Sequence, residues 1–430
     1  MTLLKLDIET LFKRSEILDV AESPRKAQQI SARFQEQTAQ KDSPFFSGYR
    51  RQILSSEGLK ESRQLADKLR ASFDTLLVLG IGGSALGTRA ILESLKHTIP
   101  AGQAKQIRII DNLDPIFFAR ETAGLDWKKT AVAVISKSGG TIETMAQFAW
   151  VLKKFADEKL ELKNHVVAIT DPKSGVLRKW VAESKVQALE VPSDVGGRFS
   201  VFTPVGLLPL AFAGLSIEKL ISGAQKQIKD QSGVTLKEID RLAKRLCDYE
   251  DAGVTVHNLF LYSTVMRECG AWFVQLWGES LGKIHPQTKK SLGTFPITSV
   301  GATDQHSILQ LLMEGRRESL VGFLKIRDWK SSDGFKMLDL PAAFGDGLSF
   351  AKGKSFEDIL NGEAVATQQA LEKCNRPVYS MELALLNEEC IGAWMTFMMD
   401  LTSATGAVQG VNPYDQPGVE IGKKILKEIL

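Results

Sequence analysis

Six short stretches of this chain hold residues whose types and spacing suit chemistry. The first is Gly80-Ile81-Gly82-Gly83-Ser84-Ala85-Leu86-Gly87, which follows the apolar run Thr75 to Leu79. Glycines between a strand and a helix let backbone N–H groups approach a phosphate, and the helix amino terminus adds partial positive charge. Gly80, Gly82 and Ala85 also satisfy G-x-G-x-x-A, and Asp111 closes the next apolar run, where a dinucleotide fold places a ribose-binding acid. A nicotinamide enzyme, a phosphate loop and a plain tight turn are all open readings of this stretch. The second is Ser136-Lys137-Ser138-Gly139-Gly140-Thr141-Ile142-Glu143-Thr144. Ser136, Ser138 and Thr141 offer three hydroxyls beside flexible backbone, which suits a phosphate monoester. Serine and threonine are equally at home as ordinary helix caps. No G-x-x-x-x-G-K-[ST] occurs, so a nucleoside triphosphate loop is not supported.

The other four stretches carry charge. Gly196-Gly197-Arg198-Phe199-Ser200 sets one guanidinium ahead of a long uncharged run, where it needs a structural carboxylate or a bound anion. Gln275, Glu279 and Lys283 are spaced to share one helical face. A solvated Glu–Lys stripe is the ordinary reading. The bulky neighbours Trp272, Phe273, Leu276 and Trp277 argue instead for a desolvated Glu279 with the raised pKa of a general base. His306, one of five histidines, begins an apolar helical stretch, where imidazole gives up its proton more readily and can act as acid–base or simply pack. No H-E-x-x-H or similar ligand spacing occurs, so no catalytic metal is expected. The carboxyl-terminal stretch from Asn412 to Lys423 reads as a turn capped by Asp415 and then an amphipathic helix. Gln416 and Lys423 then point the same way, with Lys424 and Lys427 leaving a solvated basic face as the alternative.

The elements that must position these residues follow from hydrophobic patterning. Apolar runs at 75–83, 106–112, 130–139, 165–171 and 186–192 alternate with helical stretches, which predicts a parallel sheet with helices on both faces. The runs are continuous instead of alternating, as strands buried on both faces require. A second series at 253–262, 295–304, 319–326 and 376–383 predicts a second α/β unit, and the segment 345–364 reads as an exposed loop leading into a helix. The amino terminus reads as an amphipathic helix with no secretion signal. The uncharged run between Arg198 and Glu218 holds Pro204, Gly206, Pro209 and Gly214, so a buried turn and core helix is expected there, not a membrane span.

Composition narrows the class further. The 430 residues are 43% hydrophobic and 24% charged, and 54 basic against 51 acidic side chains leave a net charge of +3. Spread along the chain, this balance implies neither nucleic acid nor an anionic membrane as partner. Four cysteines without C-x-x-C spacing fit a reducing compartment, the cytosol by default.

Taken together, GIGGSALG, SKSGGTIET, GGRFS, GESLGK, GATDQHS and NPYDQPGVEIGK resemble, in order and approximate spacing, the motifs of the glucose-6-phosphate isomerase (phosphoglucose isomerase) family. The resemblance spans about residues 70–430. It favours isomerase over dehydrogenase, which gives no reason for a second phosphate loop or for three distant acid–base candidates. It implies two sugar isomerase domains, 66–215 and 216–410, each a parallel five-stranded sheet flanked by helices. A helical segment at 1–65 precedes them, and a carboxyl-terminal arm and helix at 411–430 follow. It further implies a cytoplasmic homodimer acting on a hexose 6-phosphate, with no cofactor and no metal. By the same resemblance Ser84, Ser136, Lys137, Ser138 and Thr141 hold the phosphate, Gly83 lines the pocket, and Gln275 and Gln416 position the sugar chain. Glu279 is the base, Arg198 supports the enediolate, and His306 and Lys423 assist ring opening, His306 reaching over from the neighbouring subunit. The chain departs from the family at Leu281, often asparagine; at Tyr414, often phenylalanine; at Pro417, often a large residue; in the two glycines of the serine loop; and in the order GATDQHS.

Overall fold

Strand β1, Leu4–Asp7, opens the chain in the computed structural model, which describes residues 2–12, 34, 36, 38–41, 47–330, 335–337, 341, 344 and 347–430. This corrects the expected amphipathic helix. Leu4, Leu6 and Ile8 recur with period two, and the segment pairs as an edge strand before the short turn Glu9–Phe12. Residues 13–18 of that expected helix lie outside the described residues. Helices Tyr49–Ser55 and Leu59–Ser72 then lead into the first sheet.

That sheet consists of β2 (Thr75–Leu79), β3 (Gln106–Ile110), β4 (Thr130–Ile135), β5 (Val166–Thr170) and β6 (Gln187–Glu190). All pairs are parallel, in the order β3-β2-β4-β5-β6. Every residue of β2, β4 and β5 is buried, which is why their sequences lack a polar face. The chain leaves β2 toward β3 on one side and returns as β4 on the other. The carboxyl ends of β2 and β4 therefore flank a topological switch point, the crevice where such sheets bind ligands.

The second sheet uses β7 (Val256–Leu261), β10 (Phe295–Val300), β11 (Ser319–Asp328) and β12 (Val378–Leu385), all mutually parallel. Its fifth strand is β1, antiparallel to β12, in the order β1-β12-β11-β7-β10. The expected five strands are present, but the sheet is mixed because an edge place beside β12 is filled from the amino terminus. A small hairpin, β8 (Lys283–Ile284) and β9 (Ser291–Leu292), stands apart. Ser355 and Asp358 form a capping box that starts the helix Phe356–Lys373, as the loop-into-helix reading of that region required.

One face of each sheet feeds a common core. Leu76 and Val78 of β2 and Leu259 and Leu261 of β7 meet it through the helices Pro204–Ala213, Arg267–Leu281 and Glu388–Gln409. The opposite faces have cores of their own, around Leu77 and Val132 in the first sheet and Phe260 and Phe323 in the second. The uncharged run resolves into the turn Gly197–Phe202 and the fully buried helix Pro204–Ala213. Thr203 caps that helix and Gly214, at φ +113°, ends it. Among the described residues no helix is long and apolar enough to cross a membrane.

Candidate active site

The two glycine and hydroxyl stretches emerge from neighbouring strands, since Thr75 of β2 is in register with Thr130 of β4. In the first, Gly82–Ser84 form a single tight turn ahead of the helix Leu86–Leu95. Gly82 adopts φ +58°, and a Cβ there would stand 2.8 Å from Gln275 Nε2. A Cβ on Gly83 would stand 2.2 Å from the carbonyl carbon of Gly197. Only glycine lets this loop lie against the Gly197-Arg198 backbone. Ser84 is left half-exposed beside it.

In the second loop Ser136 Oγ and Thr141 Oγ1 lie 2.9 Å apart, and the Gly140 amide donates to Ser138 Oγ at 3.4 Å. Thr141 occupies the N-cap position of the helix Ile142–Asp157, yet its side chain caps no backbone amide. Helix capping therefore does not account for its hydroxyl, which faces Ser136 instead. Lys137 turns away: its ammonium donates to the carbonyls of Ser193 and Val195, at 2.8 and 2.9 Å, and burial lowers its pKa.

Arg198 lies at the junction of three chain segments, with its side chain 3% exposed. A guanidinium has one N–H on Nε and two on each Nη, and here each finds an acceptor. Nε donates to Ser280 Oγ at 2.7 Å. Nη1 donates to Glu279 Oε2 at 3.2 Å and to Gln416 Oε1 at 3.1 Å. Nη2 donates to the carbonyl oxygens of Pro413 and Asp415. Burial lowers the Arg198 pKa, opposed by the Glu279 and Asp415 charges.

The helix Arg267–Leu281 supplies the acid. Trp272, Phe273, Leu276 and Trp277 face the core. Gln275 and Glu279 face the other way, and Gln275 Nε2 donates to Glu279 Oε1 at 3.2 Å. The Glu279 side chain is 34% exposed, so the expected apolar enclosure of its carboxylate is not what the structure shows. The aromatic residues belong to the opposite side of the helix. Glu279 lines an open cleft of about 1100 Å³ together with Lys283, Asn412, Asp415 and Gln416. Lys283 is not a solvated stripe residue: its side chain is 8% exposed and its ammonium binds Asp415 Oδ1 at 2.8 Å and the Asp415 carbonyl. Burial lowers its pKa against the pull of Asp415. Asp415 is thus a partner of Lys283, and the residue at the cap of the next turn is Gln416.

Arg198, Gln275, Glu279 and Gln416 are therefore brought together, with Gly83 against the Arg198 backbone. His306 and Lys423 are not. His306 is exposed, in the turn after β10, and no described hydrogen bond or ion pair links it to Glu279 or Arg198. Lys423 is exposed on the helix Glu420–Ile429 and pairs with Glu420 at 2.7 Å. Asp111, the acid a dinucleotide would need, is held by Arg89 at 2.8 Å. Sequence reasoning missed Ser280 and the carbonyls of Pro413 and Asp415. Ser280 was signalled only by its place beside Glu279, and main-chain acceptors leave no mark in residue types.

Residues 61–430 match the phosphoglucose isomerase family model. The chain is 35% identical over 390 residues to the glucose-6-phosphate isomerase of Rubrobacter xylanophilus, covering 88% of each chain. A solved structure of a hypothetical protein from Thermus thermophilus superposes with a TM-score of 0.88 at 30% identity over 99% of each chain. The solved glucose-6-phosphate isomerase of Chlamydia trachomatis superposes with a TM-score of 0.76 at 25% identity, over 87% of this chain and 73% of that one. With the family model matching residues 61–430 and a relative 35% identical over 88% of the chain, the chain belongs to the phosphoglucose isomerase family.

Proposed function

We propose that this chain interconverts D-glucose 6-phosphate and D-fructose 6-phosphate through a cis-enediolate, a step shared by glycolysis and gluconeogenesis. The observation that carries the reading is the Arg198–Glu279 pair, a buried cation holding an accessible carboxylate at the edge of a cleft. Aldose–ketose exchange must open a cyclic hemiacetal, remove a weakly acidic proton beside a carbonyl and return it one carbon away. Glu279 takes the C2 proton and delivers it to C1. Arg198 Nη1, whose two acceptors are side chains able to move, faces the oxyanion that develops on the enediolate. Gln275 and Gln416 bracket the pair and position the sugar chain, and Gly83 lines the approach.

The phosphate belongs at the crevice between β2 and β4, on Ser84, Ser136, Ser138 and Thr141, with Lys137 fixing the loop from behind. Binding energy at this remote group orients the carbons that react. His306 and Lys423 serve ring opening and closure. In this reading two copies form a homodimer and His306 enters the neighbour's site, in keeping with its exposure at the end of an edge strand. Lys423 arrives when the helix Glu420–Ile429 packs down. No residue of that helix is buried in the single chain, and its apolar residues Ile421, Ile425 and Ile429 stand exposed. The domains are 66–215 and 216–410, between the 1–65 segment and the 411–430 arm, with the helix Leu59–Ser72 crossing the first boundary. The chemistry is a proton shuttle without net oxidation, so the reading assigns no metal or redox cofactor, and the cytoplasm is its place.

The test is to supply fructose 6-phosphate and follow glucose 6-phosphate through a coupled dehydrogenase. Turnover is expected, and no turnover by the folded protein rejects the reading. Tight hexose 6-phosphate binding without turnover marks a sensor instead.

A further inference from the structure

Arg198 can present one chosen edge to a substrate only if its other donors are held fast, and the carbonyls holding Nη2 come from a single short segment. Pro413 and Asp415 both accept from Nη2, and the residue after them, Gln416, accepts from Nη1. Substitution cannot remove a carbonyl, so the quality of this grip depends on where the backbone is anchored. Tyr414, between the two carbonyls, is that anchor. Its ring packs against Phe199 with centroids 5.2 Å apart, and against Tyr49 at 6.4 Å. Phe199 itself packs tilted against Tyr49 at 5.2 Å and lies under the Arg198 guanidinium at 5.7 Å. Tyr49 in turn donates to the buried Asp400 at 2.6 Å, which also holds Arg50. The aromatic trio therefore ties the 413–416 segment and the guanidinium to one fixed point in the core. Asn412 adds a local brace, its side-chain oxygen accepting from the Tyr414 amide at 3.0 Å.

We infer that Tyr414 is a positioning residue for the isomerisation, acting through the Pro413 and Asp415 carbonyls to aim Arg198 Nη1, and through the same backbone to place Gln416. The inference rests on the isomerase reading and on the role of Arg198 within it. It assigns the work to the ring, not the hydroxyl, so Tyr414→Phe retains the wild-type kcat. Tyr414→Leu keeps an apolar group but loses the ring contacts. A displacement on the order of 1 Å at a reacting group costs about 100-fold, so kcat for fructose 6-phosphate falls about 10- to 100-fold with a much smaller change in KM.

A merely structural role is separated from this one by a double-mutant cycle with Arg198→Lys. If Tyr414 acts through Arg198, Tyr414→Leu lowers kcat in the native background and has little further effect beside Arg198→Lys. Phe155→Ala, a cavity in the outer core of the first sheet, serves as a stability control that lowers the unfolding midpoint and leaves kcat of the folded enzyme unchanged. Losses that multiply in the cycle overturn the inference, as does an equal loss in Tyr414→Phe and Tyr414→Leu. Should Tyr414→Leu fail to fold, Tyr414→Met, which also removes the ring and keeps an apolar group, is put through the same cycle under the same criteria. Absence of turnover in the unsubstituted chain removes the isomerase reading and this inference with it. Turnover that Arg198→Lys lowers and Tyr414→Leu leaves untouched overturns the inference alone.

Discussion

Two arginine–carboxylate pairs in this molecule are built in opposite ways. In Arg50–Asp400 the acid is the buried partner, 1% exposed, and the two groups meet at 2.6 Å. Its second oxygen accepts from Tyr49 at 2.6 Å. In Arg198–Glu279 the arginine is the buried partner, and the acid, at 3.2 Å, is 34% exposed toward a cleft. Short charge-assisted bonds on both oxygens hold a carboxylate in place. Only a carboxylate with a longer contact and an open side can leave its partner to receive a proton. The first pair ties helix Glu388–Gln409 to helix Tyr49–Ser55, while the second is the pair to which the proposed function assigns proton transfer.

The largest effect should come from the open acid. Glu279→Gln is expected to lower kcat by about 10²- to 10⁴-fold, the range for a positioned general base, with the urea unfolding midpoint nearly unchanged. Substantial retained turnover would make the two pairs functionally alike. Asp400→Ala should instead act on the fold, destabilising it by roughly 3–5 kcal/mol, because it strands Arg50 without its partner. Urea denaturation measures this, and a loss under about 1 kcal/mol would deny the buried pair its structural role.

The buried side of the comparison also predicts a pH dependence. His257 lies under the Glu279 helix, edge-on to Trp277 at 4.6 Å, with Nε2 2.9 Å from the Tyr379 hydroxyl. Burial pushes its imidazole down to about 3. Unfolded histidine takes a proton near pH 6.5, so between these values the unfolded chain binds more protons. Its contribution to stability is complete above about pH 6.5 and is lost as pH falls toward 3, by up to about 1.4 kcal/mol per pH unit. Urea midpoints that stay flat from pH 6.5 to 4.5 would contradict this. The smallest effect belongs to Lys153–Asp157, an i,i+4 pair whose side chains are both largely exposed. Lys153→Ala should leave activity unchanged and the unfolding midpoint within experimental scatter.

Much of this was legible in the sequence wherever the physics is local. The uninterrupted apolar runs named β2, β4 and β5 because burial on both faces removes polar residues from a strand. The two loops were legible because a loop at the end of a strand keeps its residues contiguous. Arg198 stood out as a charge before an apolar segment, and it is buried as that position demanded. What stayed hidden is tertiary or main-chain. The face of the Glu279 helix that meets solvent depends on what packs against the Trp272 side, and the short period-two signal near Leu4 was outweighed by nearby charges. The carbonyls around Arg198 carry no residue signature at all. No described hydrogen bond or ion pair joins His306 or Lys423 to Glu279, and the motifs around them do not encode the packing that the proposed function asks of them.

The central claim is that Glu279 carries the proton between C2 and C1. Isomerisation of fructose 6-phosphate in deuterated water tests it most directly, because the accessible carboxylate exchanges part of its proton with solvent before returning it. The account predicts deuterium at C2 of glucose 6-phosphate formed by the unsubstituted protein, and no incorporation above the uncatalysed background with Glu279→Gln. Deuterium appearing at the unsubstituted rate with Glu279→Gln would contradict it.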